Sequence, residues 1–324
     1  MIALPLKHAG IMPNYECTAA CRHCLYACSP SFSGGYMAED VMDSTFKHLQ
    51  TGGCRSVHIG GGEPFIDFEG LLTLISKANK YRIAVDYIET NASWAADEAT
   101  IVAHISQLEE LGVDTFCISL DPFHAEYVPY GNPLRLAEVC KKQGFGYFLW
   151  QERFLGMLKN VNPNTHHTRE ALENAIGKDY IFDTAKSYGI GYGGRAIAIE
   201  QEYMDKKPVE TLLNTKACRG LASTGHFHVD MYGRFIPPGC TGLVLPLAEV
   251  VQGIPQGKYP VYEALFTGGV GALYALATAH GFTPEAGGYT SSCALCFFMR
   301  QFLASTGAFQ ELFQEHYVES LKYY

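Results

Sequence analysis

Cys17, Cys21 and Cys24 stand in the segment Cys-Thr-Ala-Ala-Cys-Arg-His-Cys, separated by three and then two residues. Three thiolates hold three irons of a four-iron cubane and leave the fourth open to a ligand the protein does not supply. A closed structural site would take a fourth protein ligand, and Cys28, four residues further on, is not counted as one. Zinc is the alternative occupant, because Cys-x-x-Cys pairs also build zinc hooks. Downstream, the strand-like run Arg55 to Ile59 leads into Gly60-Gly61-Gly62-Glu63-Pro64. A turn so poor in side chains lets backbone carbonyls approach a charged ligand closely.

On Cys17, Cys21 and Cys24, and on Gly61-Gly62-Glu63, the chain resembles the radical S-adenosylmethionine superfamily over most of roughly its first 200 residues. The resemblance implies that S-adenosylmethionine chelates the open iron of a [4Fe-4S] cluster through its amino and carboxylate groups, and that the Gly-Gly-Glu backbone binds the amino group. It further implies that one electron splits the sulfonium to a 5'-deoxyadenosyl radical, which abstracts a hydrogen atom from substrate. His23 stands where the superfamily has an aromatic that packs on adenine. By the same resemblance Asn91, Ser119 and Asp121 are candidates for the ribose and methionine portions, and Arg195, in Gly-Tyr-Gly-Gly-Arg, for the carboxylate. Asn, Ser and Asp also favour turns and helix caps, which is the competing account of those three.

A second cysteine set, Cys218, Cys240, Cys293 and Cys296, lies beyond residue 210. A hairpin signal separates its first two members, His226 to Met231, Tyr232-Gly233, then Arg234 to Ile236 and Pro237-Pro238-Gly239. The last two form Cys-Ala-Leu-Cys ahead of a predicted helix from Phe297 to Ala304. This half resembles the SPASM and twitch extensions, and its four cysteines imply one auxiliary [4Fe-4S] cluster, fully ligated. Gly233 lies seven positions before Cys240, where those extensions have a glycine five positions before the cysteine, which shifts the hairpin register. Four thiolates also suit zinc.

The elements that must position these residues read as strand-then-helix repeats. Strands are predicted near Gly10–Tyr15, Ser56–Gly60, Ile83–Glu89, Thr115–Leu120, Gly146–Trp150 and Gly189–Tyr192. Helices are predicted near Ala38–Gln50, Phe68–Lys80, Asp97–Leu111, Leu134–Gln143 and Arg169–Tyr188. The order implies parallel strands with right-handed crossovers. The fold class is therefore α/β, a partial (β/α)6 TIM-like barrel with a small C-terminal auxiliary-cluster domain, divided as 1–208 and 209–324, with the site at the carboxyl ends of the strands.

Other polar groups compete for roles. His124 and Glu126 follow the fourth strand and are placed to contact substrate. His226, His228 and Asp230 alternate along a strand, where they either line the substrate cavity and move protons or form the polar outward face of the hairpin, the latter being the preferred reading. His166 and His167, in the polar stretch Gln151–Thr168, are read as solvated, and that stretch as a lid or a long connection. Cys28, Cys54, Cys117 and Cys140 read as core or loop thiols, with Cys28 the one to test as a hydrogen-atom donor.

Composition bounds the partners. The 324 residues are 48% hydrophobic and 18% charged, enough for a sizeable core, with no apolar run long enough to span a bilayer and no export signal. A formal net charge of -9, from 24 basic and 33 acidic residues, is a poor footprint for nucleic acid. Seven of the 11 cysteines fall in metal-like sets and none shows disulfide-framework spacing, which places the chain in reducing cytoplasm. The expected function is modification of a peptide by oxidation, cross-linking or thioether formation. The alternatives are radical dehydrogenation or rearrangement of a small metabolite and, more remotely, a non-catalytic iron-sulfur or zinc protein. The expected electron donor is a flavodoxin or ferredoxin, with no membrane partner. No room is left ahead of Cys17 for a separate leader-recognition domain, so a peptide would bind the core directly or through a partner protein.

Overall fold

The computed structural model describes residues 5–32, 34–188 and 193–322. Five parallel strands follow in order: β1 (His8–Ile11), β2 (Ser56–Ile59), β3 (Ala84–Thr90), β4 (Thr115–Ser119) and β5 (Gly146–Trp150). A sixth, β6 (Phe227–Val229), pairs in parallel on the other edge of β1, and β7 (Arg234–Ile236) and β8 (Leu245–Pro246) continue antiparallel. Among the described residues the sheet order is β5-β4-β3-β2-β1-β6-β7-β8, with β5 and β8 at its edges. This is the α/β, unclosed-barrel class expected, although the sheet runs without a break across the 208/209 division.

Alternation of side chains fixes what each face of the sheet meets. Ala9, Ile11, Val57 and Ile59 are fully buried beneath the helical layer. The helix Phe68–Lys80 presents Leu71, Leu74, Ile75 and Ala78 at helical spacing, and Glu98–Glu110 presents Ile101, Ile105 and Leu108. Asp67 and Asp97 start these helices by accepting from the backbone amides of Gly70 and Thr100. Ile88, in the middle of the sheet, is fully buried. Ile88→Ala should cost about 2–5 kcal/mol, read as an earlier urea midpoint with an unchanged slope.

The strand placed at Gly189–Tyr192 lies outside the described residues, among which the sixth parallel strand is β6. Two expectations change. The single helix predicted over Arg169–Tyr188 is two, Arg169–Ile176 and Tyr180–Tyr188, interrupted at Gly177, whose φ of 125° no helix accommodates. The helix after Cys-Ala-Leu-Cys begins at Ser292, because the Ser291 side chain accepts from the Ala294 amide and caps it ahead of both cysteines. Among the described residues no helix is long and apolar enough to cross a membrane.

Candidate active site

A cavity of about 420 Å³ opens at the carboxyl ends of the strands, lined by Cys17, Cys21 and Cys24 together with Gly61, Gly62, Asn91, Ser119 and His124. The cysteine loop is tied down from both sides. Cys17 N–H donates to Ser29 O (3.2 Å) and Ser29 N–H to Tyr15 O (3.2 Å), closing the loop at its base. Arg195 does the rest: its Nε donates to Cys21 O (3.0 Å), its Nη2 to Cys28 O, and its backbone N–H to Cys24 O (3.0 Å). Gly194 precedes it at φ 52°, where a Cβ would overlap the carbonyls of Cys24 and Leu25. The guanidinium assigned to a ligand carboxylate therefore grips the cluster loop, while it also lines the cavity.

The sulfurs meet donors suited to an iron site. Cys17 Sγ accepts from Ala19 N–H (3.4 Å) and from Asn91 Nδ2 (3.5 Å). Burial pushes the Cys17 and Cys21 thiols up, whereas a hydrogen bond from Cys28 holds Cys24 below its ordinary value. Ligation requires thiolates, so loading this loop with iron releases protons. Cys28 itself is buried beside Cys24 and lines the cavity.

The Gly-Gly-Glu turn abuts the same loop. Gly62 N–H donates to Asn14 O (3.1 Å) and Glu63 N–H to Glu16 O (2.9 Å). Gly61 has φ 109°, and a Cβ on Gly62 would overlap the Glu16 carbonyl, so this close approach needs glycine at both places. Glu63 points away from the cavity, and its carboxyl accepts from Thr90 Oγ1 (2.9 Å), Asn91 N–H (2.8 Å) and Phe65 N–H (3.3 Å). It therefore pins the turn to the end of β3. Burial outweighs those donors and pushes Glu63 up to about 7. A raised folded-state pKa favours the protonated form, so this contribution to stability is present below about pH 4.5 and is lost as pH rises through about 7. Urea unfolding between pH 5 and 8 should fall in that direction, and Glu63→Gln should flatten the slope.

Beyond β4, Asp121 spends its carboxylate on the protein. It accepts from Phe123 N–H (2.8 Å), His124 N–H (3.0 Å), His124 Nδ1 (2.6 Å) and Tyr188 Oη. It is not a cavity residue; it orients His124, which faces the cavity on the Cys21 side. His23 lines the cavity too, stacked on Phe123 with centroids 4.8 Å apart and tilted on Tyr188 at 4.9 Å. Burial lowers His23 to about 4 and keeps the ring neutral. Glu126 is held by Arg22 (2.9 Å) and Tyr180 (3.3 Å) and does not line the cavity, so its placement as a substrate contact is corrected.

His226 and His228 are corrected as well. Parallel pairing of β6 with β1 sets Gly10 opposite both His58 and His228, turning the histidines to the inner face, where His226 and His228 line the cavity. Burial holds His58 at about 2 and His228 at about 3. Asp230 is buried and bonded to Arg234 (2.6 Å) and Tyr15 (3.1 Å). Sequence reasoning passed over His8 and His58, because nothing local to either marks it; only strand register brings them together.

The second cysteine set converges elsewhere. Cys240 follows Gly239 (φ 72°), and Cys293 and Cys296 occupy the first turn and a half of the helix Ser292–Ser305. Cys218, Cys240, Cys293 and Cys296 stand near enough to act on one another electrostatically, with burial pushing Cys240 up to about 12. Arg300, one turn past Cys296, is buried, donates to Thr241 O (2.8 Å) and Tyr317 Oη (3.1 Å), and opposes those shifts. Its Nε is buried without a hydrogen-bond partner among the described residues. A buried cation with a spare donor fits an anionic thiolate-bound centre. Its helical spacing from Cys296 was the available signal.

Residues 14–111 match the family described as 4Fe-4S single cluster domain. Over 136 residues the chain is 23% identical to YydG of Bacillus subtilis (strain 168), provisionally described as a peptide biosynthesis protein. That match spans 42% of this chain and 42% of the relative, less than half of each. Among solved structures, polyhistidine-tagged anSMEcpe with bound AdoMet aligns over 99% of both chains at 15% identity, with a TM-score of 0.46. BtrN in complex with AdoMet and 2-DOIA aligns over 84% of this chain and 91% of its own at 15% identity and a TM-score of 0.45. Streptococcus suis SuiB bound to precursor peptide SuiA aligns over 90% and 76% at 14% identity and a TM-score of 0.38.

Proposed function

We propose that this chain is a radical S-adenosylmethionine enzyme that cleaves S-adenosylmethionine reductively and modifies a peptide, a reading supported by the match of residues 14–111 to the 4Fe-4S single cluster domain. The observation that carries the reading is the convergence of Cys17, Cys21 and Cys24 on one cavity edged by Gly61 and Gly62. When bound there, a four-iron cluster and S-adenosylmethionine supply a 5'-deoxyadenosyl radical that takes a hydrogen atom from substrate.

The chain's own residues do the positioning. Cys17, Cys21 and Cys24 would hold three irons of such a cluster, and Arg195 fixes the loop that carries these cysteines. Asn91 Nδ2 on Cys17 Sγ draws charge from a ligand sulfur, one of the means by which a protein sets a cluster's potential. Gly61 and Gly62 would offer backbone to the cofactor's amino group, His23 a neutral ring to adenine, and Ser119 a hydroxyl at the end of β4, all from the wall of this cavity. Cys28 and His124 are the cavity groups best placed for hydrogen-atom or proton movement at substrate. We assign an auxiliary four-iron cluster to Cys218, Cys240, Cys293 and Cys296, with Arg300 offsetting its charge.

Peptide as the substrate class rests on the likeness to YydG. A flavodoxin or ferredoxin completes the proposal as electron donor. Anaerobic incubation with S-adenosylmethionine, dithionite and a precursor peptide encoded beside the gene should give 5'-deoxyadenosine and a mass change on the peptide. 5'-Deoxyadenosine formed alongside an unaltered peptide, with a small metabolite consumed instead, would overturn the substrate class.

A further inference from the structure

Three histidines outside the cysteine loop meet on the inner face of the sheet. In parallel register His8, Gly10, His58 and His228 share that face, and His226 enters β6 one alternation before His228. Gly10 makes the room, since a Cβ there would collide with the rings of His58 and His228. One ring nitrogen from each of His8, His58 and His226 lies within 4.8 Å of the other two.

The arrangement of the rings is more telling than their proximity. Centroids are 5.3 Å apart for His8 and His58, 5.4 Å for His8 and His226, and 5.1 Å for His58 and His226, with interplanar angles of 18°, 16° and 5°. A stack of three parallel rings would put its outer pair twice as far apart as its neighbours. Equal sides instead mean that the three rings surround one point. His8 Nδ1 and His226 Nδ1 are 3.2 Å apart. Two nitrogens bound to one tetrahedral zinc at about 2.0–2.1 Å would stand about 3.3 Å apart.

The far sides of two rings carry carboxylates. His8 Nε2 is 3.1 Å from Asp86 Oδ2, and His58 Nε2 is 3.6 Å from Glu89 Oε1. His58 is 1% exposed, and its Nδ1 is buried with no hydrogen-bond partner among the described residues. A carboxylate on the outer nitrogen, with the inner one unpartnered, is the disposition of a ligating imidazole and its support. Nothing in an ordinary packed core requires it.

We propose that His8, His58 and His226 bind one divalent transition-metal cation of the zinc class through their Nδ1 atoms, with Asp86 and Glu89 orienting the rings of His8 and His58. Three nitrogens leave one tetrahedral position for water or for an oxygen or sulfur donor. His226 lines the same cavity as the cysteine loop, so that position is offered to a molecule bound there. The site stands on its own geometry and does not depend on S-adenosylmethionine cleavage.

The test uses untagged full-length protein, loaded with iron anaerobically, exposed to zinc sulfate and washed with a weak chelator. The expected result is one zinc retained per chain, with a zinc-edge X-ray absorption spectrum showing nitrogen or oxygen neighbours at about 2.0–2.1 Å. His226 is exposed, so His226→Gln should leave the fold and iron content intact and lose the zinc. Asp86→Asn should weaken zinc binding about 10–100-fold without touching a ligand. Failure to retain zinc, sulfur neighbours at about 2.3 Å, or retention unaffected by His226→Gln would each overturn the proposal.

Discussion

Cys21→Ala should strip about four irons from each chain and take S-adenosylmethionine cleavage down to the level of cluster-free protein. Two thiolates cannot hold a cubane against loss to solvent, and the loop supplies no substitute at that corner. Arg195 grips the Cys21 carbonyl rather than its side chain, so the backbone should keep its course and the effect should be confined to the metal. Cys28→Ala is the contrasting case. Cys28 lies beside Cys24 and lines the cavity, yet a three-cysteine centre predicts unchanged iron content for its variant. Iron and sulfide analysis of the two variants, with 5'-deoxyadenosine measured by chromatography, separates the three-thiolate account from a four-thiolate one.

Gly62→Ala should keep its iron and lose its cofactor. A Cβ at this position has no room beside the Glu16 carbonyl, and Glu16 in turn bridges to Ser29 at the base of the cysteine loop. The added methyl must push the Gly-Gly-Glu turn away from the edge of the cavity while the cysteines stay together. Forcing a methyl into a packed site costs about 1–3 kcal/mol, which, if taken from the bound state, converts to S-adenosylmethionine binding weaker by about 5–150-fold. Equilibrium binding to the iron-loaded variant is the measurement. Affinity equal to that of the parent would remove the turn from the cofactor's surroundings.

The features legible in the amino-acid order were those whose chemistry is local. The spacing of Cys17, Cys21 and Cys24 and the glycine turn at Gly61 and Gly62 each need only a few consecutive residues to be recognised, and both meet at the cavity. The strand and helix repeats were equally readable, since the buried positions 71, 74, 75 and 78 follow helical spacing without help from the rest of the chain.

What stayed hidden depends on partners far apart in the chain. The outward assignment of His226 and His228 failed because β6 joins β1, a pairing that spans more than 200 residues and that no hairpin signal specifies. His8 and His58 acquire significance only through the same register. Glu126 had the residue type and neighbourhood of a substrate contact, but Arg22, 104 positions earlier, had already claimed it. Asp121 was singled out for a ligand and instead serves His124, a distinction that rests on where one carboxylate turns.

The central claim is a fourth iron with no protein ligand, beside the three held by Cys17, Cys21 and Cys24. Electron paramagnetic resonance of the dithionite-reduced, iron-loaded protein tests it most directly, with S-adenosylmethionine carrying oxygen-17 in its carboxylate. The account predicts that the cofactor changes the cluster signal and that the labelled oxygen couples to it. A full complement of iron whose signal ignores the cofactor would contradict it.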